Sequence, residues 1–441
     1  MNPKIIVLDD DPTGSQTVHS CLLLTRWDVA TLKTALADAA PLFFVLTNTR
    51  GMDAARAAAV TREVCVNLEA ALADCAVPVL FVSRSDSTLR GHYPVETDVM
   101  NEVLGPFDAT LLTPAFFEGG RVTRDGTHYL IVDGKLVPTH ATEFARDSVF
   151  GYTTSHLPDY VAEKTAGRVA AADVARLTLA DLRTGHADAW LAALENNDVG
   201  AVDGESPDDY RIFAEAVLKA AATGKRLLFR SAASLLTALA KLPAQPVAAE
   251  AFASLVHDGR PGAVIVGSHV AKTTAQLTQL LKKRGVIGLP LDVARLPAGR
   301  AAVVDELAAS IAHAHAQGLT PVIFTSRTEL QFASTAERLA FGEAVSDTLM
   351  DVVKRLPSTL GFLISKGGIT SNDVLSTGLE LPASRVLGQI LPGVTVVQTP
   401  PDHRLPRLPV VIFPGNVGGD GALAEAWRRL TGAAAAAKLA A

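Results

Sequence analysis

Cysteine is scarce in this chain. Cys21, Cys65 and Cys75 are the three among 441 residues, and none lies in a Cys-x-x-Cys spacing. An odd number of scattered thiols argues against a disulfide framework or a zinc site and fits a reducing cytoplasm. Aromatic residues make up 5%, too few for base-stacking platforms. No apolar run approaches the length of a membrane span. The opening Met1-Asn2-Pro3-Lys4 passes straight into a short apolar run and three acids, which is not the pattern of a signal peptide. Positive charge is not in excess: 40 Lys and Arg face 46 Asp and Glu, for a net charge of -6 without a basic stripe. That argues against nonspecific nucleic-acid binding, and an anionic ligand must be held by a local cluster of donors. A Walker A loop and a Gly-x-Gly-x-x-Gly fingerprint are both missing. The expectation is a cytoplasmic protein of small-molecule partners, with no nucleic acid and no membrane; a homodimer is compatible with it.

What is present is a large apolar fraction, 48%, against 20% charged residues. Such a chain buries sizeable cores, and its length implies two domains or three. Apolar runs at 5–8, 42–46, 77–82 and 109–113 alternate with helical stretches, among them an Ala-rich one at 53–72. That alternation predicts parallel strands with helices on both faces. Residues 129–132 and 135–137, joined by Asp133-Gly134, predict a type I′ hairpin. Later strands are expected at 169–174, 199–202 and 226–229. A second α/β pattern follows, with strands at 263–266, 288–291, 321–325, 361–364 and 410–413 and helices in the gaps. The prolines and glycines of 242–262 mark the boundary. The expected layout is a first domain at 1–245, a linker at 246–262, a second domain at 263–431 and an Ala-rich tail at 432–441. The fold class is α/β: two α/β domains with largely parallel sheets flanked by helices.

Three polar loops follow strands in the first half. Asp9-Asp10-Asp11-Pro12-Thr13-Gly14 sets adjacent carboxylates together, which is costly unless a cation, donors or a substrate hydroxyl share the site. Thr47-Asn48-Thr49-Arg50-Gly51 is the second. The third, Arg84-Ser85-Asp86-Ser87-Thr88-Leu89-Arg90-Gly91, combines forked guanidinium donors, a carboxylate and hydroxyls. It reads either as a helix start capped by Asp86 or Ser87, with Arg90 solvated, or as a ligand site. Its place after a strand favours the site, since open α/β sheets bind ligands there. In the second half, Gly267-Ser268-His269, Ser365-Lys366-Gly367-Gly368-Ile369-Thr370 and Pro414-Gly415-Asn416-Val417-Gly418 follow strands. Glycines at such junctions let backbone N–H groups approach a phosphate, and Lys366 adds a point charge.

These motifs, with Pro114-Ala115-Phe116-Phe117-Glu118-Gly119-Gly120-Arg121, resemble those of the four-carbon acid sugar kinase family over nearly the whole chain. The resemblance implies an acid-sugar-binding first domain, an ATP-binding second domain and an active site in the cleft between them. The implied reaction is phosphoryl transfer from ATP, with Mg²⁺, to a hydroxyl of threonate, erythronate or a related acid. Asp10, Asp86 and Arg90 are the expected catalytic residues, either acid accepting or orienting the hydroxyl proton. Asp11, Arg84, Ser87, Thr88 and Asn48 are the expected substrate contacts, Arg84 and Arg90 together clamping the carboxylate. Ser268, Lys366, Gly367, Gly368, Thr370, Gly415, Asn416 and Gly418 are the expected nucleotide contacts, and metal ligands stay unassigned. Two departures stand out: Pro12 where many members have Leu, and Ile369 where many have Asp. A non-enzymatic sugar-acid-binding protein and a metal-dependent isomerase or aldolase are the alternatives.

Overall fold

The computed structural model describes residues 3–75, 77–268, 270–327, 334–415 and 417–440. The chain divides into two compact units, Met1–Pro243 and Ala244–Ala441. Unit 1 contains β1 (Lys4–Asp9), β2 (Leu22–Leu24), β3 (Leu42–Leu46), β4 (Val79–Arg84), β5 (Ala109–Thr113), β6 (Arg121–Arg124), β7 (Thr127–Val132), β8 (Lys135–Pro138), β9 (Ala175–Leu177), β10 (Asp198–Val202) and β11 (Leu227–Ser231). The main strands run in the order β2-β3-β1-β4-β11-β5-β10-β9, every neighbouring pair parallel. β1, β3 and β11 are buried along their whole length, as strands covered on both faces are, so they read as continuous apolar runs rather than alternating ones. From β1 the chain builds β2 and β3 on one side, then crosses to β4 on the other. The strand order therefore reverses at β1, and the carboxyl ends of β1, β3 and β4 open on one crevice.

The small antiparallel sheet β6-β7-β8 includes the expected hairpin. Asp133 and Gly134 both have positive φ, 49° and 75°, as a type I′ turn requires. The helix Ala54–Leu72 starts where Asp53 accepts a bond from the Arg56 amide, and it buries Val64 and Leu68. The strand expected at 169–174 lies further on, at Ala175–Leu177; the earlier segment is a turn of 3₁₀ helix at Ala171–Asp173.

Unit 2 contains β12 (Ala263–Val266), β13 (Val286–Leu291), β14 (Thr320–Thr325), β15 (Leu363–Lys366), β16 (Ala383–Leu391), β17 (Val394–Gln398) and β18 (Pro409–Phe413). Its order is β13-β14-β12-β15-β18-β17-β16, parallel as far as β18 and antiparallel beyond it. Two expectations are corrected here. The stretch before β18 is not helix alone, because β16 and β17 form a hairpin there. β16 alternates buried and half-buried residues, and Gly388 interrupts its apolar positions. The strand expected at 361–364 is shifted to Leu363–Lys366, which draws Ser365 and Lys366 out of the loop and into the sheet. Phe362, Phe413 and Trp427 anchor the core of this unit. Among the described residues no helix is long and apolar enough to cross a membrane.

Candidate functional site

At the switch point of unit 1 the three polar loops meet. Arg50, from the loop after β3, is the central cation. Its Nε lies 3.1 Å from Asp10 Oδ2, its Nη2 bonds Asp10 Oδ1, and its Nη1 lies 3.4 Å from Asp11 and 3.8 Å from Asp86. The sequence reading passed over Arg50, although it sits in a glycine-bearing polar loop at a strand end, the signal used for its neighbours. Arg84 is buried, with Nη1 3.5 Å from Asp9 and 3.9 Å from Asp10. Arg90 donates from Nε to Asp86 at 2.9 Å, reaches Asp147 at 3.5 Å, and stacks 5.0 Å from the Phe144 ring. The two guanidiniums of the expected clamp are thus engaged with different carboxylates, Arg84 with those of Asp9 and Asp10 because β1 and β4 pair in a register that sets Asp9 beside it, and Arg90 with those of Asp86 and Asp147.

The same side chain meets opposite environments here. Burial pushes Asp9 up to about 8 against the pull of Arg84, and its Oδ2 has no hydrogen-bond partner. Burial would also raise Asp86, but Arg50 and Arg90 outweigh it and hold this carboxyl well below the usual range. Asp11 is likewise lowered: burial opposes, Arg50 and the Thr13 donors prevail. Glu96, missed from the sequence, is pushed up to about 7 by burial and by Asp10, while Thr49 Oγ1 donates to it at 2.5 Å.

The loop from Asp86 to Gly91 is not a helix start; the next helix is Val95–Leu104, preceded by Pro94. It is pinned by its carbonyls instead. Arg230 donates to Asp86 O and Arg90 O, His128 to Ser87 O, Tyr152 to Thr88 O and Tyr160 to Leu89 O. Burial keeps His128 neutral, down to about 4, and its Nδ1 meets Thr123 Oγ1 at 2.9 Å. Leu89 accordingly sits at φ 68°, a left-handed conformation that a bulky residue holds only when its surroundings impose it. Thr88 bonds Asp86 through both amide and hydroxyl, and Ser87 is buried. Asn48 is left-handed and half-buried, and its side chain makes no cap bond.

In unit 2 the ends of β12, β14, β15 and β18 share one edge. Gly367, at φ 120°, donates to Phe413 O at 2.9 Å, joining the β15 and β18 loops. A Cβ on Gly267 would lie 2.2 Å from Thr370 Oγ1, so the β12 loop approaches the Gly368–Asp373 helix as closely as backbone allows. Lys366 does not project as a point charge, which corrects that expectation. It is fully buried, its Nζ bonds Pro414 O at 2.5 Å and Gly415 O at 3.1 Å, and it lies 4.3 Å from the Phe413 ring centre. Burial pushes it down to about 7, with Lys272 adding to the fall. Thr273 also bonds Gly415 O, at 3.2 Å, and Gln276 bonds Val417 O and Gly419 O. With these carbonyls turned onto side chains, trans geometry turns the amides of Gly415 and Gly418 the other way, and among the described residues they have no acceptor. Ser268 is bound through its carbonyl by Arg327 at 2.7 Å, a cation the sequence reading missed just past a strand end. Asn416 and His269 lie outside the described residues.

The comparisons with known proteins agree with this division. The family model for a sugar-binding N-terminal domain matches residues 5–239, and that for a nucleotide-binding C-terminal domain matches residues 263–423. A D-erythronate kinase of Heliobacterium modesticaldum is 33% identical over 149 residues, 33% of this chain and 32% of that protein. A D-threonate kinase of Bordetella bronchiseptica is 34% identical over 164 residues, 35% of this chain and 38% of that protein. The chain thus matches about a third of the length of these curated relatives. A solved Salmonella typhimurium protein shares the fold with a TM-score of 0.69 at 19% identity, covering 96% of this chain and 99% of that one. A Haemophilus influenzae protein does so at 0.65 and 18%, covering 96% and 98%. With its sugar-binding and nucleotide-binding domains both matched, the chain belongs to the four-carbon acid sugar kinase family.

Proposed function

We propose that this protein transfers the γ-phosphoryl group of ATP to a hydroxyl of a small sugar acid, of the threonate and erythronate class. The observation that carries the reading is the chemical contrast between the two sets of strand-end loops. Unit 1 gathers guanidiniums and carboxylates suited to a polyhydroxy acid. Unit 2 gathers glycine turns whose Gly415 and Gly418 amides lack acceptors among the described residues, suited to phosphates.

Phosphoryl transfer asks mainly for positioning and charge stabilisation. Asp86, kept ionised by Arg50 and Arg90, would accept a hydrogen bond from the attacking hydroxyl. A carboxylate so depressed is a weak proton acceptor, so its part is to orient. Asp10, held by Arg50 and by Ser85 at 2.7 Å, is the second acid beside that hydroxyl. Arg90 and the hydroxyl of Thr88 shape the same end, with Asp11, Ser87 and Asn48 around it. In unit 2, Ser268, Gly367, Gly368, Thr370, Gly415 and Gly418 would line the phosphates, with Arg327 as the nearby cation. Among the described residues no three His, Cys, Asp or Glu side chains are grouped to hold a metal. Mg²⁺ would arrive with the nucleotide, since it takes most of its ligands from phosphates and water and few from protein. Mg²⁺ would neutralise the β- and γ-phosphates. The test is ADP production over a panel of four-carbon acids with ATP and Mg²⁺. Turnover of one or more acids supports the reading; binding without turnover, or turnover without ATP, replaces it with a binding protein or an isomerase.

A further inference from the structure

We infer that Arg121 receives the carboxylate of the substrate and so sets the requirement for an acid rather than a neutral polyol. The inference rests on the sugar-acid reading above. The other arginines near the pinned loop are already engaged. Arg50 pairs with Asp10, Asp11 and Asp86; Arg84 with Asp9 and Asp10; Arg90 with Asp86 and Asp147. Arg230 is fully buried and donates to the carbonyls of Asp86 and Arg90. Arg121 is half-buried, and among the described residues it has no carboxylate partner. Its Nη1 donates to Gly119 O, and its Nε is buried without any acceptor.

The surrounding loop is shaped around this guanidinium. Phe116 and Arg121 exchange two backbone bonds, at 2.9 and 2.8 Å, and the guanidinium carbon lies 5.8 Å from the Phe116 ring centre. A Cβ on Gly119 would lie 2.4 Å from Arg121 Nη1, so a glycine there leaves the head group its place. Arg121 opens β6, two residues before Thr123, whose hydroxyl meets His128, and His128 in turn holds Ser87 O of the pinned loop, so the guanidinium stands beside the loop that carries Asp86 and feels the charges of Asp86 and Arg90. A guanidinium partly removed from water without a counter-ion is an expensive arrangement, and an incoming carboxylate relieves it. The fork also matches a carboxylate with two parallel bonds, which a lysine ammonium does not.

The test is steady-state kinetics of the full chain with ATP and Mg²⁺, using D-threonate and D-erythronate as probes. Arg121→Gln is expected to raise the KM of the accepted acid by about tenfold or more, the loss of one charge-assisted bond. The KM for ATP should stay within about twofold of the wild type. Arg121→Lys should fall between the two, and methylguanidinium added to Arg121→Gln should recover part of the loss. An unchanged acid KM in Arg121→Gln, or an Arg121→Lys enzyme equal to wild type, overturns the assignment. If Arg121→Gln does not fold, the Arg121→Lys comparison decides. Wild-type protein that neither binds nor phosphorylates either acid overturns the kinase reading itself, and this assignment with it; wild-type activity with an indifferent Arg121 overturns this assignment alone.

Discussion

Asp9 and Asp86 are the same side chain, yet burial pushes one up to about 8 while Arg50 and Arg90 hold the other low. The two act on stability with opposite signs. Asp9 binds its proton more tightly folded than unfolded, so its contribution is complete below its unfolded value and is lost as the pH rises through about 8. Glu96, raised to about 7, acts in the same direction. Asp86 and Asp11 are lowered, so their contributions are present above the unfolded value and are lost on acidification. The melting temperature should therefore fall from about pH 5 to about pH 8, with a separate fall below about pH 4. Asp9→Asn cannot ionise and should flatten the alkaline limb while leaving the acid limb in place. Melting curves across that range check this; equal slopes in wild type and variant would remove Asp9 from the account.

At the scale of elements, both units hold strand-end loops by the carbonyls. Tyr152, Tyr160, His128 and Arg230 do so for the loop after β4. Lys366, Thr273 and Gln276 do so for the loop after β18. Side-chain donors on successive carbonyls fix which way each peptide plane faces, and a loop so held keeps its amides ready without further ordering on binding. Lys366→Met fills similar space but leaves Pro414 O and Gly415 O without their donor. It should weaken ADP binding by roughly tenfold, about 1.4 kcal/mol. Calorimetric titration with ADP is the measurement, and wild-type affinity in Lys366→Met would mean that the brace is dispensable.

At the scale of the molecule, each unit has its own compact set of contacts, and a small ligand held by one stabilises that unit first. A ligand that binds only the folded state adds about 2.7 kcal/mol at a hundred times its dissociation constant. ADP with Mg²⁺ and a four-carbon acid, supplied separately, should each raise a melting transition in scanning calorimetry. Truncated or blocked sites should lose their own shift only: Arg90→Ala that of the acid, and a bulky replacement of Gly368 that of ADP. A melting profile indifferent to both ligands would sink the assignment of both units.

How much was legible in the sequence follows from the range over which each feature is encoded. Apolar runs, the Asp133-Gly134 turn and the habit of polar, glycine-bearing loops after strands are local, and the sequence alone determined them. The family resemblance, too, was carried by short contiguous motifs. Partnerships were not local. Arg84 faces Asp9, and Arg50 faces Asp10, because β1 lies between β3 and β4 in parallel register, which no single stretch encodes. Lys366 reads as a loop cation but is buried, since β15 runs as far as residue 366 between Val266 and Phe413. Thus the sequence determined which residues lie at strand ends, and the tertiary structure decided which charges are neutralised there and which, such as Arg121, have no counter-ion among the described residues. The physical reason is that neutralisation depends on distances across strands, set by sheet order rather than by neighbours along the chain.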